Sequence, residues 1–179
     1  MKKIIDSNIA WAAYTHLFKK EEIPARTILL REGDVSKKAY MIEAGCCRLW
    51  FNNNGKDVTF QFFFEGQAIS SSESFRGNKP SRFSIETIEP CILHTVSKKD
   101  FQFMIDSSPA IKAQVEENIF ERLVFYQQLF LSHIKDSPEK RYRDLLNNHP
   151  EMLQRIPQHY IASYLGITPV SLSRIRNRR

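Results

Sequence analysis

The sequence predicts an α+β protein in which an N-terminal antiparallel β-barrel or jelly roll is followed by a long helix and then by several short helices. Two patterns along the chain lead to this prediction. Between Thr27 and Val96, short β-rich runs alternate with clusters of Gly, Asn, Asp and Pro. After Pro109, apolar residues instead recur at steps of three and four. With 179 residues, of which 42% are apolar, the chain is long enough to bury a sizeable core.

Six β-rich segments support the barrel prediction. NNNGK at 52–56 contains the Asn-Gly pair of a tight hairpin turn, which would place the third and fourth segments side by side. So many short strands within about 70 residues are typical of a small antiparallel barrel or jelly roll. Residues 7–19 are expected to form a short amphipathic helix ahead of them. The six segments are TILL, AYMIE, CRLWF, VTFQFFF, FSIETI and ILHTV.

Residues 109–135 are predicted to form one long helix with a wide apolar surface. Phe120, Val124 and Leu131 extend this surface beyond a single stripe, so the helix needs cover on two sides. One side can lie on the barrel. The other can lie on the same helix of a second subunit, which predicts a homodimer, or be buried within its own monomer. The predicted interface residues are Val115, Ile119, Leu123, Tyr126 and Phe130, and Ile134 continues the stripe.

A helix boundary follows at DSPEK, residues 136–140. Ser137 can cap a new helix, Pro138 suits its first position, and Glu139 adds a favourable charge in its first turn. This break divides the chain into three predicted parts. They are the barrel at 1–108, the long helix at 109–135 and a terminal helical domain at 136–179.

The closing stretch, HYIASYLGITPVSLSRIRNRR, has the spacing of two short helices joined by a tight turn. Ala162 is small where the helices would cross closely, and Gly166 can adopt the positive φ that ends the first helix. Thr168 can cap the second helix, and Pro169 suits its first position. The sequence therefore predicts a helix-turn-helix at this end of the chain.

The outward face of the second helix is polar and basic. With Leu172 and Ile175 turned inward, Arg174 is placed to pair with a guanine in the major groove of DNA. The arginines beyond it, Arg179 included, suit phosphate contacts near the helix end. An ordinary helical hairpin is the alternative. The predicted DNA-binding residues are Thr168, Val170, Ser171, Arg174, Arg176, Asn177 and Arg178.

The positive charge of the chain is concentrated in the same region. Residues 1–151 carry 21 Lys and Arg against 20 Asp and Glu. The residues that follow Glu151 include five arginines and no acid. This distribution favours a module that faces a polyanion, with a solvated basic tail as the alternative.

Other functional classes find little support in the sequence. Cys46, Cys47 and Cys91 fit neither a zinc nor an iron–sulfur spacing, and we expect them to be reduced and buried in a cytoplasmic protein. No apolar run approaches the roughly 20 residues of a membrane span, and no export signal is expected. No motif pairs a nucleophile with a base, so we predict neither an enzyme nor a cofactor or metal site.

Together these segments resemble the Crp/Fnr family of transcription regulators over almost the whole chain. REGD at 31–34, the unit YMIEAG and the hairpin NNNGKDVT are similar to the family's cyclic-nucleotide-binding barrel. The long helix resembles its dimerisation helix, and IASYLGITPVSLSRIR resembles its helix-turn-helix, with a short or absent wing. The resemblance implies a cytoplasmic homodimer, not associated with membranes, that binds a palindromic DNA operator. It also implies RNA polymerase as a partner.

The sequence departs from this family at the effector pocket. Nucleotide-binding members carry a Gly-Glu pair and an Arg-Ser-Ala stretch, where this chain has Ser70-Ser71 and Ser81-Arg82-Phe83. The ribose-binding carboxylate is gone, and the arginine is displaced by one place, which on a strand turns it to the other face. Cyclic AMP is therefore not expected to bind, and the effector is unknown. The implied pocket residues are Ser70, Ser71, Ser81, Arg82, Tyr126 and Gln127, and Phe62, Phe64 and Phe83 are candidates to close it.

A second hypothesis gives the C-terminal hairpin another use. The chain would be a cyclic-nucleotide-binding regulatory or interaction module whose hairpin docks a protein partner. The response to salt separates the two hypotheses, because binding to DNA weakens steeply as salt rises, whereas docking through apolar contacts does not.

Overall fold

The computed structural model describes residues 9–177 and divides them into two compact units. The first contains the described residues up to Asn52 and the segment Gln61–Glu116. The second contains Asn53–Phe60 and the chain from Glu117 onwards. The tip of one hairpin is therefore grouped with the C-terminal helices.

Two four-stranded sheets with antiparallel pairing build the strand-rich part. The strands are Lys19–Ile23 (β1), Ile28–Leu30 (β2), Lys38–Ala44 (β3), Cys47–Asn53 (β4), Lys56–Phe63 (β5), Ala68–Ile69 (β6), Ser84–Thr87 (β7) and Cys91–Ser97 (β8). One sheet has the order β1-β8-β3-β6 and the other the order β2-β7-β4-β5. Ile42, Leu49, Ile85 and Leu93 are buried in the core. Each of the six predicted segments overlaps a strand, so the predicted antiparallel β-structure is confirmed.

The predicted hairpin joins β4 to β5. Asn54 and Gly55 have φ values of +52° and +85°, and two consecutive residues with positive φ are the signature of a type I′ turn. The twist of this turn matches that of the flanking strands, which explains the Asn-Gly pair.

Of the helix expected over residues 7–19, residues 7 and 8 lie outside the described residues, and the described part is only partly helical. Helix α1 covers Ile9–Ala12, a 3₁₀ turn covers Thr15–Leu17, and β1 begins at Lys19. The sequence of β1, KKEEI, has no apolar alternation, but all five of its residues pair with β8. Because β1 is an edge strand, its charged side chains can remain in contact with solvent. Pairing with a distant strand therefore overrides the local preference.

Two helices of the first unit were not predicted: α2 at Ser72–Gly77 and α3 at Lys98–Ser107. The side chain of Ser97 caps α3 by accepting a hydrogen bond from the Asp100 N–H at 3.1 Å. Helix α3 contributes to a buried cluster that also holds α1 and the start of the long helix. The cluster consists of Trp11, Met41, Val96, Met104 and Ile111.

The remaining helices are α4 at Pro109–Lys135, α5 at Pro138–Asn148, α6 at Pro150–Arg155, α7 at Gln158–Tyr164 and α8 at Pro169–Asn177. The long helix predicted at 109–135 is confirmed. So is the start of α5, where Ser137 accepts the Lys140 N–H at 3.2 Å and Pro138 occupies the first position. None of the helices within residues 9–177 combines the length and the apolar character that crossing a membrane would require.

Candidate functional site

The turn between α7 and α8 is built from main-chain hydrogen bonds. Gly166 has a φ of +68°, as its position after the first helix predicts. The N–H of Gly166 donates to the Ser163 carbonyl at 2.9 Å, and that of Ile167 donates to the Ala162 carbonyl at 2.9 Å. This pair of bonds is a Schellman motif, which ends α7 sharply and fixes where the chain leaves it.

Helix α8 begins with the cap that its sequence predicts. Thr168 Oγ1 accepts the Ser171 N–H at 3.1 Å and lies 3.0 Å from the Ser171 hydroxyl. Pro169 is the first helical residue. Leu172 is buried and Ile175 is half-buried, so the two residues predicted to face inward do so.

The outward face of α8 exposes most of the predicted DNA-binding side chains. Ser171 is half-buried, whereas Thr168, Val170, Arg174, Arg176 and Asn177 are exposed. Ser173 is exposed as well and was not predicted. Arg178, also predicted, and Arg179 lie outside the described residues. Helix α8 therefore exposes two guanidinium groups, an amide and small side chains.

Arg141 holds the end of α7, a role that sequence reasoning missed. Its Nη2 donates to the Leu165 carbonyl at 2.7 Å, and its Nη1 donates to the Asp136 carbonyl at 2.7 Å. A cation near the carbonyl end of a helix interacts favourably with the helix dipole. No local pattern signals this role, because its acceptor is 24 residues further along the chain.

The implied effector residues of the first unit form a hydrogen-bonded serine cluster. Ser71 and Ser81 are buried, and their hydroxyl oxygens lie 2.9 Å apart. The hydroxyl of Ser81 is also 2.7 Å from the Phe83 carbonyl oxygen. Ser70, by contrast, is only half-buried. The Ser81 hydroxyl has one hydrogen, so it donates to only one of these two oxygens at a time.

Arg82 lies at the surface and pairs with Glu73. Its side chain is 82% exposed and its Nε lies 3.2 Å from Glu73 Oε2. The sequence predicted that Arg82 would lie on a strand, but the residue lies in a bend before β7. Its exposure therefore follows from the bend and not from strand alternation. A cyclic nucleotide needs a cation for its phosphate, and the residues at this position do not fit that requirement.

Tyr126 and Gln127 lie on α4 in the second unit. Tyr126 is half-buried and Gln127 is exposed. Burial raises the pKa of the Tyr126 hydroxyl, while the neighbouring Arg122 opposes this effect. Burial also lowers the pKa of Arg122. The hydroxyl of Tyr126 therefore stays protonated at neutral pH.

An apolar stripe runs along the exposed part of α4. Ile119, Leu123 and Phe130 are 56%, 53% and 66% exposed. Val115, by contrast, packs against the buried cluster around Met104. Val115 is therefore in contact with the core of its own chain, and the exposed stripe begins at Ile119.

The first unit also buries an ion pair and three thiol groups. Arg48 pairs with Glu86, with its Nε and Nη2 at 2.8 and 2.6 Å from Glu86 Oε2, and both residues are buried. The three cysteines are also buried. Within residues 9–177, no group of three or more His, Cys, Asp or Glu side chains is arranged to hold a metal ion.

Comparison with known proteins supports this architecture. Residues 20–108 match the cyclic nucleotide-binding domain family. The chain is similar in structure to the c-di-GMP-responsive global regulator CLP of Xanthomonas campestris, with 16% identity and a TM-score of 0.76 over 93% of this chain and 88% of that one. No curated protein matches the sequence.

Two further structures show the same likeness. A CooA mutant from Carboxydothermus hydrogenoformans has 15% identity and a TM-score of 0.75, over 98% of this chain and 81% of that one. FixK2 from Bradyrhizobium japonicum has 16% identity and a TM-score of 0.75, over 90% and 83%. These neighbours are Crp/Fnr-type regulators, and the likeness shows that this chain shares their fold.

Proposed function

We propose that this chain, with its cyclic nucleotide-binding domain at residues 20–108, is a homodimeric, sequence-specific DNA-binding transcription regulator of the Crp/Fnr type. The observation that carries the proposal is the pair α7 and α8, whose tight turn leaves a basic face of α8 exposed. The same fold in Crp/Fnr-type regulators supports it.

The α7–α8 pair has the features of a DNA-reading helix-turn-helix. Leu172 buries the inner face of α8 and the Gly166 turn fixes its start, so the opposite face is free to enter a major groove. Arg174 on that face is assigned to a base edge, because a guanidinium can bond to guanine O6 and N7 together. Arg176 and Arg178 are assigned to phosphates, which fix the register.

The exposed stripe on α4 is assigned to a second copy of this chain. Ile119, Leu123, Tyr126 and Phe130 follow one another at steps of four, three and four, which is the spacing of a coiled-coil seam. A pair of identical helices would cover the stripe by two-fold symmetry. The dimer would present its two reading helices to half-sites about 34 Å apart on a palindromic operator. RNA polymerase is proposed as a further partner.

The effector pocket is proposed to bind neither cyclic AMP nor cyclic GMP. Ser71 and Ser81 bond to each other, and Arg82 is turned outward to Glu73. A phosphate buried there without a cation would be costly, since an unpaired buried charge loses several kcal/mol. Phe62 is buried, and Phe64 and Phe83 are half-buried. We assign the pocket either to a less charged effector or to closure by these aromatic side chains.

The test is selection of bound fragments from random duplex DNA with the purified full-length protein, followed by affinity measurements on the recovered site. We expect a palindromic consensus and an affinity that falls steeply with salt. Arg31→Ala is the control for Arg174→Ala, because it also removes one positive charge but from an exposed position in the first unit. A protein that enriches no sequence, or whose binding is insensitive to salt, would instead support the interaction-module hypothesis.

A further inference from the structure

His133 lies between two carbonyl oxygens. Its Nδ1 is 2.9 Å from the Leu129 carbonyl oxygen, one turn back along α4. Its Nε2 is 3.3 Å from the Tyr164 carbonyl oxygen at the end of α7. A neutral imidazole carries one N–H and can donate to only one of these oxygens, whereas an imidazolium donates to both. The arrangement is therefore complete only when His133 is protonated.

The helix ends around His133 also favour a cation. His133 is in the last turn of α4, and Tyr164 is the last residue of α7. The C-terminal end of a helix carries partial negative charge, and cations placed there are stabilised. The imidazole lies in the last turn of α4 and next to the end of α7.

The charged groups nearby come from the end of α4 and from α5. Arg141 donates to the Leu165 carbonyl, next to the Tyr164 carbonyl, and opposes a positive charge on His133. Asp136 favours that charge, although it is already paired with Lys140. Lys135, also in the last turn of α4, opposes it through solvent. From α7, the Tyr164 hydroxyl stays neutral because burial raises its pKa.

Tyr164 and Leu165, whose carbonyls accept from His133 and Arg141, precede the turn that sets the direction of α8. A Cβ added at Gly166 would lie 3.8 Å from His133 Cδ2 and 3.9 Å from Arg141 Nη2, so both side chains border the turn. Arg141 holds the Leu165 carbonyl through its guanidinium. The Tyr164 carbonyl is held at full strength only by protonated His133.

We propose that His133 is a proton-dependent positioning residue for α8, so that binding of duplex DNA strengthens as pH falls through the range in which histidine titrates. This inference rests on the DNA-binding function proposed above. Protonated His133 fixes the end of α7 before DNA binds. Less conformational entropy is then lost when the complex forms. At higher pH the Tyr164 contact weakens, and the reading helix samples more orientations.

The experiment measures the dissociation constant of the full-length protein for its selected duplex at pH 6 and pH 8, at constant ionic strength. We expect the wild-type protein to bind the duplex about threefold more tightly at pH 6 than at pH 8. His133→Arg keeps a cation with two donors, and should bind at both pH values as wild type does at pH 6. His133→Gln should bind at both as wild type does at pH 8.

His149→Gln is the matched control, because His149 is an exposed histidine of the same unit that pairs with Glu151 and not with α7. This variant should keep the pH response of wild type. An equal pH response in wild type, His133→Arg and His133→Gln would overturn the inference.

A second measurement separates this inference from the proposed function. If no duplex binds at any pH, the proposed function fails, and NMR titration of the free protein decides the role of His133. We expect the amide resonances of Leu165 and Gly166 to shift with the same midpoint as the His133 ring, and this shift to be absent in His133→Gln. Resonances at the turn that do not follow the ring would overturn the inference.

Discussion

The main-chain N–H of Thr59, near the tip of the β4–β5 hairpin, donates a hydrogen bond of 2.8 Å to Ser163 Oγ on α7. The two residues are 104 positions apart in the chain, and Thr59 is buried. Both belong to the second unit, so the hairpin tip is part of the support on which α7 rests. Helix α7, which precedes α8, is thus held by a strand residue as well as by Arg141.

Replacement of Ser163 tests this support. Ser163→Ala removes the acceptor that the buried Thr59 N–H uses, and we expect the free energy of unfolding to fall by about 1–3 kcal/mol. Urea denaturation followed by circular dichroism measures the change. Ser173→Ala on the exposed face of α8 is the control and should change stability by less than about 0.5 kcal/mol. Equal losses in the two variants would show that the bond to Thr59 contributes nothing specific.

Substitution of Arg174 separates base reading from charge. Arg174→Ala should weaken binding to the selected site by about 1–3 kcal/mol and relax the preference at one base pair in each half-site. Arg174→Lys keeps the charge but not the bidentate geometry, so it should lose the preference while keeping the salt dependence of wild type. Binding titrations on the selected site and its single-base variants measure both effects. An unchanged preference in Arg174→Lys would remove Arg174 from the base-reading residues.

A charge on the α4 stripe tests the dimer. The Phe130 side chain is exposed in the subunit, so Phe130→Asp should leave the fold intact while burying a carboxylate in the proposed interface. We expect dimerisation to weaken by about 3–5 kcal/mol, which sedimentation velocity would record as a shift from dimer to monomer. Glu121→Gln, on an exposed position of the same helix, should remain dimeric. A wild-type protein that is already monomeric at micromolar concentration would contradict the assignment.

Calorimetric titration with cyclic AMP tests the effector pocket. We expect no binding heat at micromolar to millimolar nucleotide, because the serine hydroxyls bond to each other and Arg82 faces solvent. The matched variant is Arg82→Ala, which should behave as wild type. Micromolar binding that Arg82→Ala abolishes would show that the arginine turns inward to hold the phosphate.

The Arg48–Glu86 pair provides a test of core energetics. Arg48→Met leaves the Glu86 carboxylate nearly buried without its guanidinium, and we expect a loss of about 3–5 kcal/mol in the free energy of unfolding. The double substitution Arg48→Met/Glu86→Leu replaces the pair by apolar groups and should recover most of that loss. Denaturant unfolding at pH 7 measures both variants. A double variant as unstable as Arg48→Met would mean that the apolar replacements pack poorly.

The sequence alone determined the elements whose chemistry is local. Gly166, Thr168 and Pro169 each obey a rule about one turn or one helix end, and the structure places the turn, the cap and the helix start where those rules predict. The Asn54-Gly55 turn and the helix from Pro109 to Lys135 were predicted for the same reason. Short-range backbone sterics and periodicity decide such features without reference to the rest of the chain.

Only the tertiary structure decided the contacts between distant segments. KKEEI becomes the strand β1 because it pairs with β8, more than 60 residues away, and its own residue preferences do not indicate a strand. The bond from Thr59 to Ser163, the pairing of Arg48 with Glu86 and the outward turn of Arg82 likewise depend on how strands and loops are brought together. Their physical reason is shared: burial and register create these partners, and no local pattern encodes which distant residue will supply them.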